Sequence, residues 1–139
     1  MKPVLVTVKS VQRDINGEDT TVELVSTGMY GERNGVYYIR YEESSTTGLD
    51  GVKTTIKVHP DSIILLRTGA VSMRHQYVRG EERDTVYETP FGPIEMSLTT
   101  HELDVHMDES GGHVHLGYDI AVDGQAQFYN QLDIDVREE

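Results

Sequence analysis

Residues 113–122, HVHLGYDIAV, are apolar at every second position: Val114, Leu116, Tyr118, Ile120 and Val122. Residues 125–136, QAQFYNQLDIDV, keep the rhythm with Ala126, Phe128, Leu132, Ile134 and Val136, Asn130 being the one polar member of the series. The positions between are mostly polar. A period of two puts one face of each segment against a core and the other in water, as in antiparallel strands. For Val122 and Ala126 to share a face, the connection at Asp123-Gly124 must span an odd number of residues. A three-residue loop, Asp123 to Gln125, does this, and it sets Ile120 opposite Phe128 and Leu116 opposite Leu132. Val114, Leu116, Tyr118, Ile120, Phe128, Leu132 and Ile134 are then expected in one interior.

Ile94 to Glu109 contains no Gly or Pro and could be read as a helix. Helical spacing collects Ile94, Leu98 and Val105, but also His101 and Glu102. Alternation explains all six apolar residues if the parity changes between Leu98 and Leu103, so a β-bulge is expected near Thr99 to Glu102. Upstream, VLVTVKSV, TTVELVST, VYYIRYEE, VKTTIKVH and SIILLRTG are rich in the Val, Ile, Thr and Tyr that suit a pleated surface. Asn16-Gly17, Asn34-Gly35 and Asp50-Gly51 punctuate them as hairpin turns. A two-residue turn at Thr68-Gly69 would place Leu66 opposite Val71 and Ile64 opposite Met73, with His75 and Tyr77 continuing that face. The expectation is one all-β domain over residues 1–139, with about eight to ten strands in an antiparallel up-and-down barrel, which leaves no exposed edges. A sandwich is the alternative.

Composition narrows the functional classes. The 139-residue chain carries 24 acidic against 12 basic residues, a formal charge of −12. Such a field repels phosphate, so neither nucleic acid nor an anionic membrane is expected as a partner, whereas a basic protein is compatible. Cysteine is absent, which excludes disulfides, zinc ribbons and thiol catalysis. MKPVLVTVK lacks the long apolar region of a signal peptide, and no apolar run reaches membrane-spanning length. A soluble, cytoplasmic protein is expected.

Three groups of residues could carry chemistry. In HMDESGGHVH (106–115), a hairpin centred on Ser110-Gly111 would pair His106 with His115, Met107 with Val114 and Asp108 with His113. His106, His113, His115 and Asp108 would then cluster on the outer face, a set that suits zinc, nickel or copper. With no supporting residues identifiable around them, adventitious metal binding is expected rather than a structural site, and no cofactor is called for. HELDVH places its histidines five apart on a strand, which does not match the metalloprotease helix. His75, on the barrel lining, could serve as acid, base or ligand anchor; the expectation is a core histidine bonded to a neighbour. YIRYEE sets Arg40 and Glu42 on one side of a strand and Tyr41 and Glu43 on the other, so Glu42 and Glu43 cannot form a catalytic dyad. Arg40 and Glu42, joined by Arg67, are expected as a same-face ion pair. Candidate interior ligand contacts are His75, Tyr77, Tyr87, Tyr118, Asn130, Arg40 and Arg67; no catalytic set is visible.

The order of STGMY (26–30), YYIRYEE (37–43), TTIKV (54–58), ILLRTG (64–69), YETPFG (87–92), SLTT (97–100) and LGYDI (116–120) resembles the YwiB-like family, a bacterial domain of unknown function. The resemblance implies a calycin-type, lipocalin-like β-barrel and carries over no catalytic residues. Two readings of function follow. One is a module binding a small apolar or amphipathic ligand, since small barrels either fill their interior or enclose one ligand. The other is a ligand-free structural or protein-interaction module with an acidic surface. An enzyme acting at the barrel mouth is a weaker third.

Overall fold

The computed structural model describes residues 1–44 and 49–139. Ten strands follow in order: β1 (Lys2–Asp14), β2 (Asp19–Arg33), β3 (Val36–Glu42), β4 (Lys53–Val58), β5 (Ser62–Thr68), β6 (Met73–Val78), β7 (Glu82–Thr89), β8 (Gly92–Asp108), β9 (Gly111–Val122) and β10 (Gln125–Glu138). Each pairs antiparallel with its sequence neighbours, and β1 pairs with β10, giving one sheet in the order β6-β5-β4-β3-β2-β1-β10-β9-β8-β7. This is the expected up-and-down barrel, nearly closed. Its seam lies between β6 and β7. There Ser72 bridges Glu88, Thr85 Oγ1 donates to the Arg74 carbonyl at 2.8 Å, and the Arg79 guanidinium donates to the Leu103 carbonyl.

The β9–β10 register is as alternation predicts: Ile120 faces Phe128 and Leu116 faces Leu132. The device that sets the parity differs. The loop has two residues, Asp123 and Gly124, with φ of 51° and 77°, and Val122 pairs with Gln125. The odd residue enters later, where the register shifts between Ala126 and Phe128. A turn with both central residues at positive φ matches strand twist, and a bulge corrects the faces. Ala126 therefore pairs with Ala121 and is exposed. In β8 the shift falls between Thr100 and Glu102, inside the expected window.

Two registers differ from expectation. The hairpin at 106–115 is tighter by one pair. Glu109-Ser110 forms its turn, Asp108 faces Gly111, Met107 faces Gly112 and His106 faces His113. A change of two in register preserves the faces, so the histidines still lie outside. In β5–β6 the pairs are Arg67–Met73, Leu65–His75 and Ile63–Tyr77, so Ile63 and Leu65 point inward in place of Ile64 and Leu66. SIILLR is apolar at both parities, and alternation cannot choose between its faces.

The core concentrates at the end that carries the chain termini. Val4, Val6, Ile39, Ile56, Ile63 and Val114 are fully enclosed there. Tyr30 stacks on Tyr37 with ring centres 5.8 Å apart and donates its hydroxyl to the Asp108 carbonyl at 2.6 Å, closing that end. Of the seven residues expected in one interior, six are buried. Phe128 is only half-buried, because it sits at the opposite rim, paired with Asp14 at the end of β1.

Candidate functional site

Towards the rim of the β1–β2 turn the interior is not filled. A cavity of about 290 Å³ lies among inward residues of β1–β3 and β5–β10. Leu24, Leu65, Met73, Ile120 and Leu132 give it apolar walls. Polar groups enter from several strands, because each stands at an inward parity where an aliphatic residue would otherwise be.

The Arg67 guanidinium on β5 faces the Glu43 carboxylate at 3.8 Å, and Thr54 Oγ1 donates to the same carboxylate oxygen at 2.7 Å. His75 Nδ1 on β6 lies 3.2 Å from the Tyr77 hydroxyl. Tyr77 and Tyr118 meet across the barrel with ring centres 4.8 Å apart, and Asn130 on β10 lines the same space. Burial lowers the His75 pKa to about 4, and the Arg67 charge pushes the same way, so the imidazole is neutral at physiological pH. Burial raises both phenols. Among the described residues, four buried side-chain polar atoms have no hydrogen-bond partner, and three belong to this lining: Arg67 Nε, His75 Nε2 and Asn130 Oδ1. Leaving such a group unpaired costs about 1–3 kcal/mol, so a partner within the cavity would stabilise all three.

The cavity thus gathers His75, Tyr77, Tyr118, Asn130, Arg67 and the half-buried Tyr87 from the sequence candidates. Arg40 is not among them. It is exposed on the outer wall, in a groove with Met29, Lys53 and Thr55. The expected Arg40–Glu42–Arg67 set is likewise replaced, because Arg67 points inward to Glu43, on the other face of β3. Glu43 was reachable from the parity of YIRYEE, which already put it opposite Arg40; the missing information was the inward face of β5.

The family described as a domain of unknown function (DUF1934) matches residues 6–134. The chain belongs to this family. It is 30% identical over 132 residues to the uncharacterized beta-barrel protein YwiB of Bacillus subtilis (strain 168), covering 95% of this chain and 91% of that protein. The crystal structure of the ywiB protein from Bacillus subtilis superposes with a TM-score of 0.87 at 28% identity, covering 99% of this chain and 92% of the other. The bacterial relative is thus a barrel of the same architecture.

In this family member the outer wall of β8–β10 carries a second polar arrangement. His113 lies 2.8 Å from Asp135 and 3.1 Å from Asp133, and His115 lies 2.8 Å from Asp133 and 2.7 Å from Glu102. The Tyr129 hydroxyl extends the chain to Glu102 at 3.3 Å. Burial opposes the His115 charge, but the bonds to Glu102 and Asp133 outweigh it, and its pKa is raised. His115 in turn lowers the Glu102 pKa. The expected outer cluster is therefore rearranged. His106 is exposed opposite His113, and Asp108 accepts from the backbone and hydroxyl of Ser110 at the hairpin tip. The sequence reading identified no support for the imidazoles, and Asp133, Asp135 and Glu102 supply it. Asp133 and Asp135 follow from the expected β9–β10 register, which sets them opposite His115 and His113, whereas Glu102 needed the β8–β9 register. Among the described residues, no three His, Asp or Glu side chains converge as a metal site.

Proposed function

We propose that the protein is a binding module for a small amphipathic molecule, held in the rim-side cavity of the barrel. The observation that carries this reading is the set of three unpaired polar atoms, on Arg67, His75 and Asn130, around an apolar-walled space. A cavity of about 290 Å³ is at the lower end of the range for small-molecule sites. A ligand that met the three atoms would offset the penalty of burying them and bring its apolar part against Leu24, Leu65 and Leu132. The calycin-type resemblance supports the same reading by analogy of fold.

Among the described residues, no nucleophile with a base and an orienting third group is assembled in the cavity. His75 is neutral and bonded to a phenol, and Glu43 faces a guanidinium. Binding is accordingly favoured over turnover. The test is fluorescence titration with 1-aminoanthracene, a small uncharged apolar probe. Saturable emission enhancement is expected in the wild type. It is expected to be lost in Ser10→Trp, which projects an indole from the β1 lining into the space. Enhancement that persists unchanged in a folded Ser10→Trp variant would reject the cavity as the site.

A further inference from the structure

The chemistry of the ligand's polar head can be read from the same cavity, and this inference rests on the binding reading above. The charges there are already matched, Arg67 against Glu43 at 3.8 Å. A second anion would find no unpaired cation among the described residues, would lie near Glu43, and would enter a chain of formal charge −12. A fatty-acid carboxylate is therefore disfavoured even though an arginine lines the wall.

The unpaired atoms define which groups remain to be met. Arg67 Nε carries an N–H and can only donate, and Asn130 Oδ1 can only accept. His75 Nδ1 lies 3.2 Å from the Tyr77 hydroxyl, and its Nε2 is the third unpaired atom, a donor in one tautomer and an acceptor in the other. Arg67 and His75 stand on adjacent strands β5 and β6, with His75 two residues beyond Met73, the partner of Arg67, on the same face. Asn130 stands on β10, in the opposite part of the wall.

We propose that the ligand is an uncharged amphiphile whose head carries a carbonyl oxygen beside an N–H, the pattern of a carboxamide. The carbonyl accepts from Arg67 Nε, the N–H donates to Asn130 Oδ1, His75 Nε2 meets the head group in the tautomer that fits it, and the alkyl part lies against Leu24, Leu65 and Leu132. A carboxylate of the same length has no donor for Asn130 and adds a charge beside Glu43.

The experiment is displacement of bound 1-aminoanthracene at neutral pH by a matched pair, octanamide and octanoate. Octanamide is expected to displace the probe at a concentration at least roughly tenfold lower than octanoate. Asn130→Leu is expected to abolish that preference by weakening octanamide and leaving octanoate unchanged. Should Asn130→Leu fail to fold, His75→Phe removes one unpaired polar group while keeping a flat ring, and octanamide is expected to weaken there by roughly tenfold. Octanoate equal to or tighter than octanamide would overturn the head-group inference while leaving the cavity as a binding site. Octanamide affinity unmoved in whichever variant folds would overturn it as well. Failure of 1-aminoanthracene itself to bind would instead remove the cavity reading, and this inference with it.

Discussion

His75 stands on the barrel lining with its Nδ1 3.2 Å from the Tyr77 hydroxyl. Burial makes it a pH-dependent weakness. Its folded pKa is about 4, against 6.5 for a free imidazole, so below about pH 6.5 the unfolded chain binds a proton that the folded chain refuses. Stability is therefore expected to fall as pH drops from about 6.5 to about 4, by up to about 3 kcal/mol from this group. His115 works in the opposite sense. Its raised pKa contributes stability at low pH that is lost as pH rises through the folded value. Urea midpoints followed from neutral pH to about pH 5 should fall in the wild type and fall less in His75→Phe. Equal losses in the two proteins would show that His75 is not buried neutral. At the core end of the scale, Leu116 is fully buried and Leu132 nearly so. Truncating Leu116 or Leu132 to alanine should cost about 2–5 kcal/mol in urea unfolding. Losses under about 0.5 kcal/mol at both would contradict the inward assignment of β9 and β10.

At the scale of elements, legibility depended on how strictly each segment alternates. In β9 and β10 apolar residues recur at every second position, Asn130 excepted, and the rest are mostly polar, so pairs such as Leu116–Leu132 could be named from the sequence. In β5, Ile63, Ile64, Leu65 and Leu66 are all apolar, and the wrong parity left Arg67 without its true partner, Glu43. The network on the outer wall was hidden in part. Asp133 and Asp135 stand opposite His115 and His113 in the expected β9–β10 register, but the β8–β9 register two residues off concealed how Glu102 reaches His115. The turns themselves are testable. Gly112 has a φ of 149°, and a Cβ there would fall 1.9 Å from the His106 carbonyl oxygen. Gly124 also has positive φ, 77°, but meets nothing within 4 Å. Gly112→Ala is therefore expected to destabilise by well over about 1 kcal/mol, and Gly124→Ala by about that much or less. Thermal melts of the two variants check the order, and the reverse order would contradict the tight β8–β9 register.

For the whole molecule, ten strands in sequential hairpins give a barrel packed solid at the end of the termini and hollow at the other. The location of the hollow follows from where polar residues take inward positions: Arg67, His75, Tyr118 and Asn130 stand on the rim side of the aliphatic core, and Tyr77, level with Ile63, lines its floor. A second concavity lies on the outer wall, around Met29, Arg40 and Lys53, and is larger at about 720 Å³. Its lining holds no buried, unpaired side-chain polar atom among the described residues, which is why the smaller interior space is the better binding site. The most direct measurement is an amide chemical-shift map of the ¹⁵N-labelled protein titrated with octanamide. The account predicts saturable shifts concentrated at Leu24, Leu65, Met73, His75, Tyr118 and Leu132, with the outer strand positions Met29, Arg40 and Lys53 unmoved. Shifts confined to Met29, Arg40 and Lys53, or to the His113–His115 face, would contradict it.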